Sequence, residues 1–401
     1  MRRGCAARHD GLSPGMKKAP PDATGFVARI AEPGEGPRVA VKDMIAVSGC
    51  LWTAGLAAHA TRRATRDAAV VTRLRAAGYA IAGTTMTDNA GFGTMTEEVA
   101  NPRFSDRAVG GSSGGAAAAV AAGAVELGLG TDTGGSIRIP AAYCGLWAFK
   151  ASHGRLPMDG IIPLAPTFDA PGLLADGPGT LLQGAAALLE GAIPASAPAV
   201  RLGLDGDALR SADPAVLTPF AAIAARLGAT ATVAPVAPYL TSALAHAAVV
   251  SLEAAATYRD DPAWTSGDFE PDLLKVLEDA AESPPAAAVA ARAEAAGFGA
   301  AYRQAMDAAC VDIVLAPTLP MPPAARHDGT ARIRDQDHPV TNANIRLTFM
   351  ANLAGLPVVV APIGALSVQF IGRPGTDEAL LRHAATLAAE AEAGDAAPPA
   401  G

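Results

Sequence analysis

Two glycine-flanked serine sites stand out along the chain. The first reads Gly110-Gly111-Ser112-Ser113-Gly114-Gly115 and the second Thr133-Gly134-Gly135-Ser136. Backbone N–H groups without side-chain cover can converge on one cavity and hold an anion. The second site runs straight into Ile137-Arg138-Ile139-Pro140. Ser136 therefore falls near a helix N-terminus, where developing negative charge is favoured. A phosphate loop is one reading of such glycines, but neither GxxxxGK[ST] nor a GxGxxG opening a helix after a strand occurs here. A cluster of structural turns is the other reading.

Other chemistries find less support. Cys5, Cys50, Cys144 and Cys310 lie far apart with no CxxC pair. They read as free thiols in a reducing cytoplasm rather than as zinc ligands or staples. The histidines show no HxxxH or HxH spacing, so no metal site and no cofactor is expected. The net charge of −8 argues against a phosphate-neutralising surface, and hence against nucleic acid as a partner. The chain is 50% hydrophobic and 17% charged, which is ample for a large core and excludes a disordered chain. Its 42 glycines and 32 prolines follow no three-residue period, which excludes collagen and points to a loop-rich enzyme.

The elements that must carry the serines form an α/β pattern. Val39 to Val47 is a short β-type run with Lys42 in its middle. Residues 67–79 have helical spacing, with Val70, Val71, Leu74 and Ala77 on one face and Gly78 as a stop. A strand is predicted at Ala80–Gly83, a small-sided helix over 114–125, and a buried strand at Glu126–Gly130 leading into the loop Thr131–Ser136. Residues 241–310 read as helical, interrupted by Pro262, Pro271 and Pro284-Pro285. Strands are expected at 311–315 and 357–361, with a further one reached from Gly364–Phe370, and 376–393 reads as a closing amphipathic helix. The apolar stretches, such as Ala116 to Val125, are too short to span a bilayer, so no membrane partner is expected. Arg2 and Arg3 are followed by no apolar run before Pro14, so no targeting signal is read. Met16 leaves the first fifteen residues as a mis-called start or a disordered tail. The expected organisation is an N-terminal extension over 1–24, one domain over 25–393, and a disordered tail over 394–401.

The segment from Gly110 to Lys150 resembles the amidase signature family. That family is marked by GGSSGG, a small-residue helix, and then G-[TS]-D-x-G-G-S-[IV]-R-x-P. Both serine sites match, with Ser136 24 positions after Ser112. Asn101-Pro102 with Arg107, Lys42-Asp43, Cys144-Gly145, Phe149-Lys150 and Gly154-Arg155 resemble flanking motifs. Asn352-Leu353-Ala354-Gly355-Leu356-Pro357 resembles a C-terminal one. The resemblance spans roughly residues 25–390. It implies one α/β domain, a large mixed β-sheet covered on both faces by α-helices. Its departures are the short stretch before Lys42, a loose match over 83–90, Trp147, Ala148 and Ala151 in place of the usual residues, and a short 362–369 loop.

Carried over position by position, the resemblance implies a Ser–Ser–Lys triad. Ser136 is the expected nucleophile, Ser112 the bridge on a cis peptide bond, and Lys42 the base. Lysine can be that base only when neutral, so burial must lower its pKa from about 10.4. A hydroxyl both donates and accepts, so Ser112 can pass a proton between the other two. The N–H groups of Thr133, Gly134, Gly135 and Ser136 are the expected oxyanion hole. Ser113 is expected as a structural hydrogen bonder, with Asp132 and Arg138 as orienting groups or a buried ion pair. Cys144 is read as core and His153 as a loop hydrogen bonder.

The implied activity is hydrolysis of a carboxylic amide to carboxylate and ammonia or amine through a serine acyl-enzyme, in the cytoplasm. The stretch PLAPTFDAPG over 163–172 is similar to one in the indoleacetamide hydrolases, which hints at small or arylacetamide substrates. The competing readings are the glutaminase subunit of a Glu-tRNA amidotransferase, an ester or carbamate hydrolase on the same triad, and a non-catalytic scaffold. The family leaves room for a homodimer, which nothing in the sequence fixes.

Overall fold

The computed structural model describes residues 5–7, 21–196 and 198–393. Its strands are β1 (Cys5–Ala7), β2 (Phe26–Ile30), β3 (Arg38–Lys42), β4 (Ala80–Thr85), β5 (Leu127–Asp132), β6 (Trp147–Lys150), β7 (Ala170–Ala175), β8 (Leu202–Asp205), β9 (Ala231–Val233), β10 (Ile313–Pro317), β11 (Thr330–Ile333), β12 (Gln336–Pro339), β13 (Val358–Ile363) and β14 (Leu366–Ile371). The helices are α1 (Ala69–Ala76), α2 (Gly114–Ala121), α3 (Arg138–Cys144), α4 (Pro178–Leu189), α5 (Gly206–Ser211), α6 (Pro214–Arg226), α7 (Tyr239–Tyr258), α8 (Pro271–Glu282), α9 (Pro285–Ala308), α10 (Val340–Ile345), α11 (Phe349–Leu353) and α12 (Asp377–Ala393).

Among the described residues, twelve strands form one mixed sheet in the order β1-β2-β4-β3-β5-β7-β6-β13-β14-β10-β8-β9, and β11 and β12 form a separate hairpin. The neighbours β4, β3 and β5 are parallel, as are β10, β8 and β9; the other pairs are antiparallel. The strands alternate in facing. Val39 and Val41 pack in the layer with α1, α4 and α12, whereas Ala40 packs with α2 and α3. Lys42 is in phase with Ala40, so it belongs to the α2 and α3 face.

The small side chains of α2 let it lie against the sheet. Its residues from Gly114 to Val120 are all buried. A Cβ on Gly115 would stand 2.6 Å from the Met86 backbone, so any larger residue would push the helix off. The prolines in the helical region start helices as well as interrupt them. Pro271 and Pro285 occupy the first turns of α8 and α9, where a missing N–H costs nothing.

Several expectations need correction. Helix α1 ends at Ala76, and Ala77 is exposed rather than on the buried face. The N-terminal extension is not wholly without order. Cys5–Ala7 pairs with β2, and a turn at 22–26 is held by the Asp22 carboxylate accepting from the N–H groups of Thr24 and Phe26. The rest of that extension through residue 20 and the tail at 394–401 lie outside the described residues. Helix α7, with 20 residues and a mean hydropathy of 1.3, is long and apolar enough by composition to cross a membrane. Here it is a partly buried packing helix, and its Glu253 is ion-paired to Arg292.

Candidate active site

Lys42 and Asp132 end the neighbouring parallel strands β3 and β5, so both leave the sheet at one edge. The C-terminal edge of parallel strands is where α/β sheets hold ligands. The Lys42 side chain is 1% exposed. Its Nζ donates to Ser112 Oγ at 2.8 Å and to Thr131 Oγ1 at 3.0 Å. Burial lowers its pKa from 10.5 to about 8, against the opposing pull of Asp88, Asp169 and Asp132. No carboxylate is ion-paired to Lys42 among the described residues. The neighbouring Asp43 turns away and accepts from the N–H and hydroxyl of Thr53. Its pKa is raised to about 6 by burial.

Ser112 follows a cis Gly111–Ser112 bond, as the resemblance implies. Its carbonyl accepts from Thr87 Oγ1 at 2.8 Å. The two serine loops are tied by Ser113 N–H, which donates to the Ser136 carbonyl at 3.1 Å. Ser113 Oγ donates to the Thr131 carbonyl at 3.4 Å, which fits its structural role. Ser136 is 8% exposed. Lys42 and Ser112 are therefore joined directly, while the Ser112 and Ser136 hydroxyls are not hydrogen-bonded to each other in this state.

The Thr133–Ser136 loop is fixed from several sides. Thr133 Oγ1 donates to Asp169 Oδ1 at 2.5 Å. The Thr133 carbonyl accepts from His246 Nε2 at 3.0 Å, and the Gly134 carbonyl accepts from Thr348 Oγ1. Gly135 has φ of +134°, and a Cβ there would collide with Thr348 Oγ1, so only glycine fits. Its N–H donates to Asp132 Oδ1 at 2.9 Å. This corrects the expected oxyanion hole: the Gly135 N–H is taken by a buried carboxylate. Among the described residues, the N–H groups of Thr133, Gly134 and Ser136 have no protein acceptor and remain available.

Asp132 and Arg138 form a buried ion pair, and the Asp132 carboxylate also accepts from the Gly135 and Ile137 N–H groups of the loop. Arg138 Nε and Nη2 reach the Asp132 carboxylate at 3.0 and 2.8 Å. Arg138 also donates to the Thr348 carbonyl at 2.8 Å, to Gln369 Oε1 at 2.8 Å and to Asn352 Oδ1 at 2.6 Å. Burial alone would raise the Asp132 pKa, but the Arg138 charge and hydrogen bonds hold it well below the usual carboxylate range. Cys144 is fully buried, and burial pushes its thiol up to about 12, which makes it core. His153 is exposed; its backbone N–H donates to the Gly355 carbonyl at 3.2 Å, and among the described residues its ring has no hydrogen-bond partner.

Two supports of the site, His246 and Thr348, escape the sequence motifs, and two more, Thr131 and Asp169, lie inside the serine-loop motif and the 163–172 stretch with no role read for them there. Asp169 sits in the Phe-Asp pair of the 163–172 stretch, and its second oxygen accepts from the Leu164 and Ala165 N–H groups at 2.9 and 3.1 Å. His246 stacks on Phe168, with ring centroids 4.8 Å apart, and lies 5.6 Å from the Phe349 ring. Nothing in its sequence neighbourhood marks it. A groove of about 410 Å³ passes Asp88, Gly93, Thr94 and Met95. A Cβ on Gly111 would touch Asp88, Met95 and Thr94, so the groove borders the Ser112 loop.

The chain is similar to known amidases along most of its length. A family model described as Amidase matches residues 33–178. A glutamyl-tRNA(Gln) amidotransferase subunit of Natronomonas pharaonis is 31% identical over 88% of this chain and 96% of its own. The indoleacetamide hydrolase of Pseudomonas syringae pv. syringae is 46% identical, but over 35% of this chain and 32% of its own. A crystal structure of an amidase superposes with a TM-score of 0.80 at 28% identity, covering 88% of this chain and 84% of that one.

Proposed function

The chain belongs to the amidase signature family and is a hydrolase acting on amide bonds of small molecules, and from that premise we propose that Ser136, Ser112 and Lys42 carry the reaction. The observation that supports this most is the buried Lys42 Nζ to Ser112 Oγ hydrogen bond of 2.8 Å, made where burial favours the neutral amine. Neutral Lys42 takes the Ser112 proton as Ser112 takes that of Ser136. Ser136 Oγ bonds to the amide carbon, and the carbonyl electron pair moves onto oxygen. The N–H groups of Thr133, Gly134 and Ser136 stabilise that charge. The proton then returns through Ser112 to the nitrogen as the C–N bond breaks. Water hydrolyses the Ser136 ester by the same relay. The relay needs the Ser136 hydroxyl to turn onto Ser112, and catalytic hydrogen bonds of this kind commonly tighten only with substrate bound.

The 163–172 stretch and the likeness to an indoleacetamide hydrolase over part of the chain support a small or aryl amide as substrate. The test is ammonia release from aliphatic amides, benzamide, phenylacetamide, indole-3-acetamide and glutamine by wild type, Ser136→Ala and Lys42→Ala. Release that vanishes in both variants supports the triad. Activity surviving in Ser136→Ala removes the nucleophile assignment. A second reading, a glutaminase within an amidotransferase complex, draws on the full-length likeness to the Natronomonas protein. It requires glutamine to be hydrolysed best, and only once partner proteins are added.

A further inference from the structure

We infer that His246 is a positioning residue for the oxyanion loop: its Nε2–H holds the Thr133 carbonyl and so fixes the direction of the Gly134 N–H. This inference rests on the proposed Ser136 acyl transfer and adds a part to it. The Thr133 carbonyl and the Gly134 N–H belong to one planar trans peptide and point in opposite directions. A donor that anchors the carbonyl therefore aims the N–H to the other side. The Thr133 oxygen can only accept, so the Nε2 at 3.0 Å must carry the hydrogen.

The ring is held for this task by packing rather than by charge. His246 is 5% exposed on the mid-length of α7, stacked at 20° on Phe168 and flanked by Phe349. Burial lowers its pKa to about 4, outweighing the Thr133 carbonyl and Asp132 that would raise it, so it is neutral at working pH. The approach is close because residue 134 is glycine: a Cβ there would stand 3.1 Å from His246 Cε1. The next peptide is set in the same manner. Thr348 Oγ1 holds the Gly134 carbonyl while the Gly135 N–H points to Asp132. Of these two consecutive peptides, the one anchored by His246 leaves its N–H free for substrate, and the one anchored by Thr348 does not.

The experiment compares wild type, His246→Gln and His246→Met on whichever amide the protein turns over. Glutamine keeps an N–H that can reach the carbonyl; methionine fills similar space without one. The expected result for His246→Met is a kcat lower by about 10–100-fold with KM within about twofold, somewhat less than the loss of a whole oxyanion donor. Affinity for a trifluoromethyl ketone, which forms a tetrahedral adduct on serine, falls in parallel. His246→Gln regains most of both. A folded His246→Met with wild-type kcat, or a loss confined to KM, overturns the role and leaves His246 as a pocket wall. Should His246→Met not fold, nitrogen-15 NMR of the wild-type ring decides: the Nε2–H tautomer is required, and the Nδ1–H tautomer overturns the inference. Ser136→Ala run alongside separates the two levels. Activity surviving there removes the triad, whereas full activity in His246→Met with a silent Ser136→Ala removes only the role of His246.

Discussion

The sharpest perturbation is Lys42→Arg. Both side chains are cationic donors that could reach Ser112, but arginine does not lose its proton in a protein. With a pKa of about 8, Lys42 is neutral in about one molecule in ten at pH 7. At the ordinary lysine value the neutral fraction would be about three in ten thousand. Burial in the fold thus raises the supply of base by roughly 300-fold at neutral pH. The assay is kcat/KM against pH from 5.5 to 10 with an uncharged amide. The expected profile for wild type climbs about tenfold per pH unit on the acid side and levels near the Lys42 value of about 8. Lys42→Arg is expected to lose about 10²–10⁴-fold at every pH, as a lost general base should. A profile that levels only above pH 10, or an active Lys42→Arg enzyme, would refute the reasoning.

The same burial bears on stability. The lysine's folded pKa lies below its unfolded one. The unfolded chain therefore holds the extra proton between about 8 and 10.5, and this contribution to stability rises with pH through that window. Below about 8 the full cost of burying the cation is present. Lys42→Met should consequently be more stable than wild type by about 1–3 kcal/mol at pH 7, and should lack that pH dependence. A Tm series across pH 6–10 on both proteins checks the sign.

Three further outcomes follow from named contacts. Ser112→Ala removes the hydroxyl that Lys42 holds and, if Ser112 carries the proposed proton relay, should lower kcat by about 10²–10⁴-fold with little change in KM, read by steady-state kinetics on the same amide. Arg138→Met leaves the Asp132 carboxylate buried without its cation and should cost about 3–5 kcal/mol in urea unfolding, with Asp132→Asn in the same chain recovering part of it. Gly135→Ala must force a Cβ against Thr348 Oγ1 at a positive φ. It should lose about 1–3 kcal/mol in urea unfolding and most of its activity, whereas Gly179→Ala, exposed in the first turn of α4 with nothing within 4 Å, keeps turnover near wild type and stability at or slightly above it.

How much of this is legible in the sequence depends on how far along the chain each partner lies. The serine loops, Lys42 and the Asp132–Arg138 pair sit in short motifs whose residue types announce their chemistry, and the structure brings them to one sheet edge. Strands β4, β5 and β13 begin within one residue of where the apolar runs place them, because a fully buried strand leaves a continuous apolar trace. At the oxyanion loop the cause is a set of contacts that the residue types alone do not declare. The oxyanion motif counts the Gly135 N–H as free, yet the Asp132 carboxylate, pinned by Arg138 and Asn352, claims it. Asn352 and Thr348 reach this loop from more than 200 positions away, and His246 reaches it from a helix whose local pattern is that of a packing element.

Local composition therefore specifies that a loop of exposed N–H groups exists, while partners distant in sequence decide which of those groups face a substrate. A peptide plane has two polar ends, and whichever partner takes one end sets the other. Reading an anion site from glycines alone counts donors. Counting the acceptors and donors on the far side of each peptide is what separates Gly134 from Gly135, and those far-side groups come from α7 and the segment between α10 and α11. The serine-loop motif by itself is thus compatible with several oxyanion geometries, and substitutions at His246 or Thr348 should change which one the protein has without touching a residue of the motif.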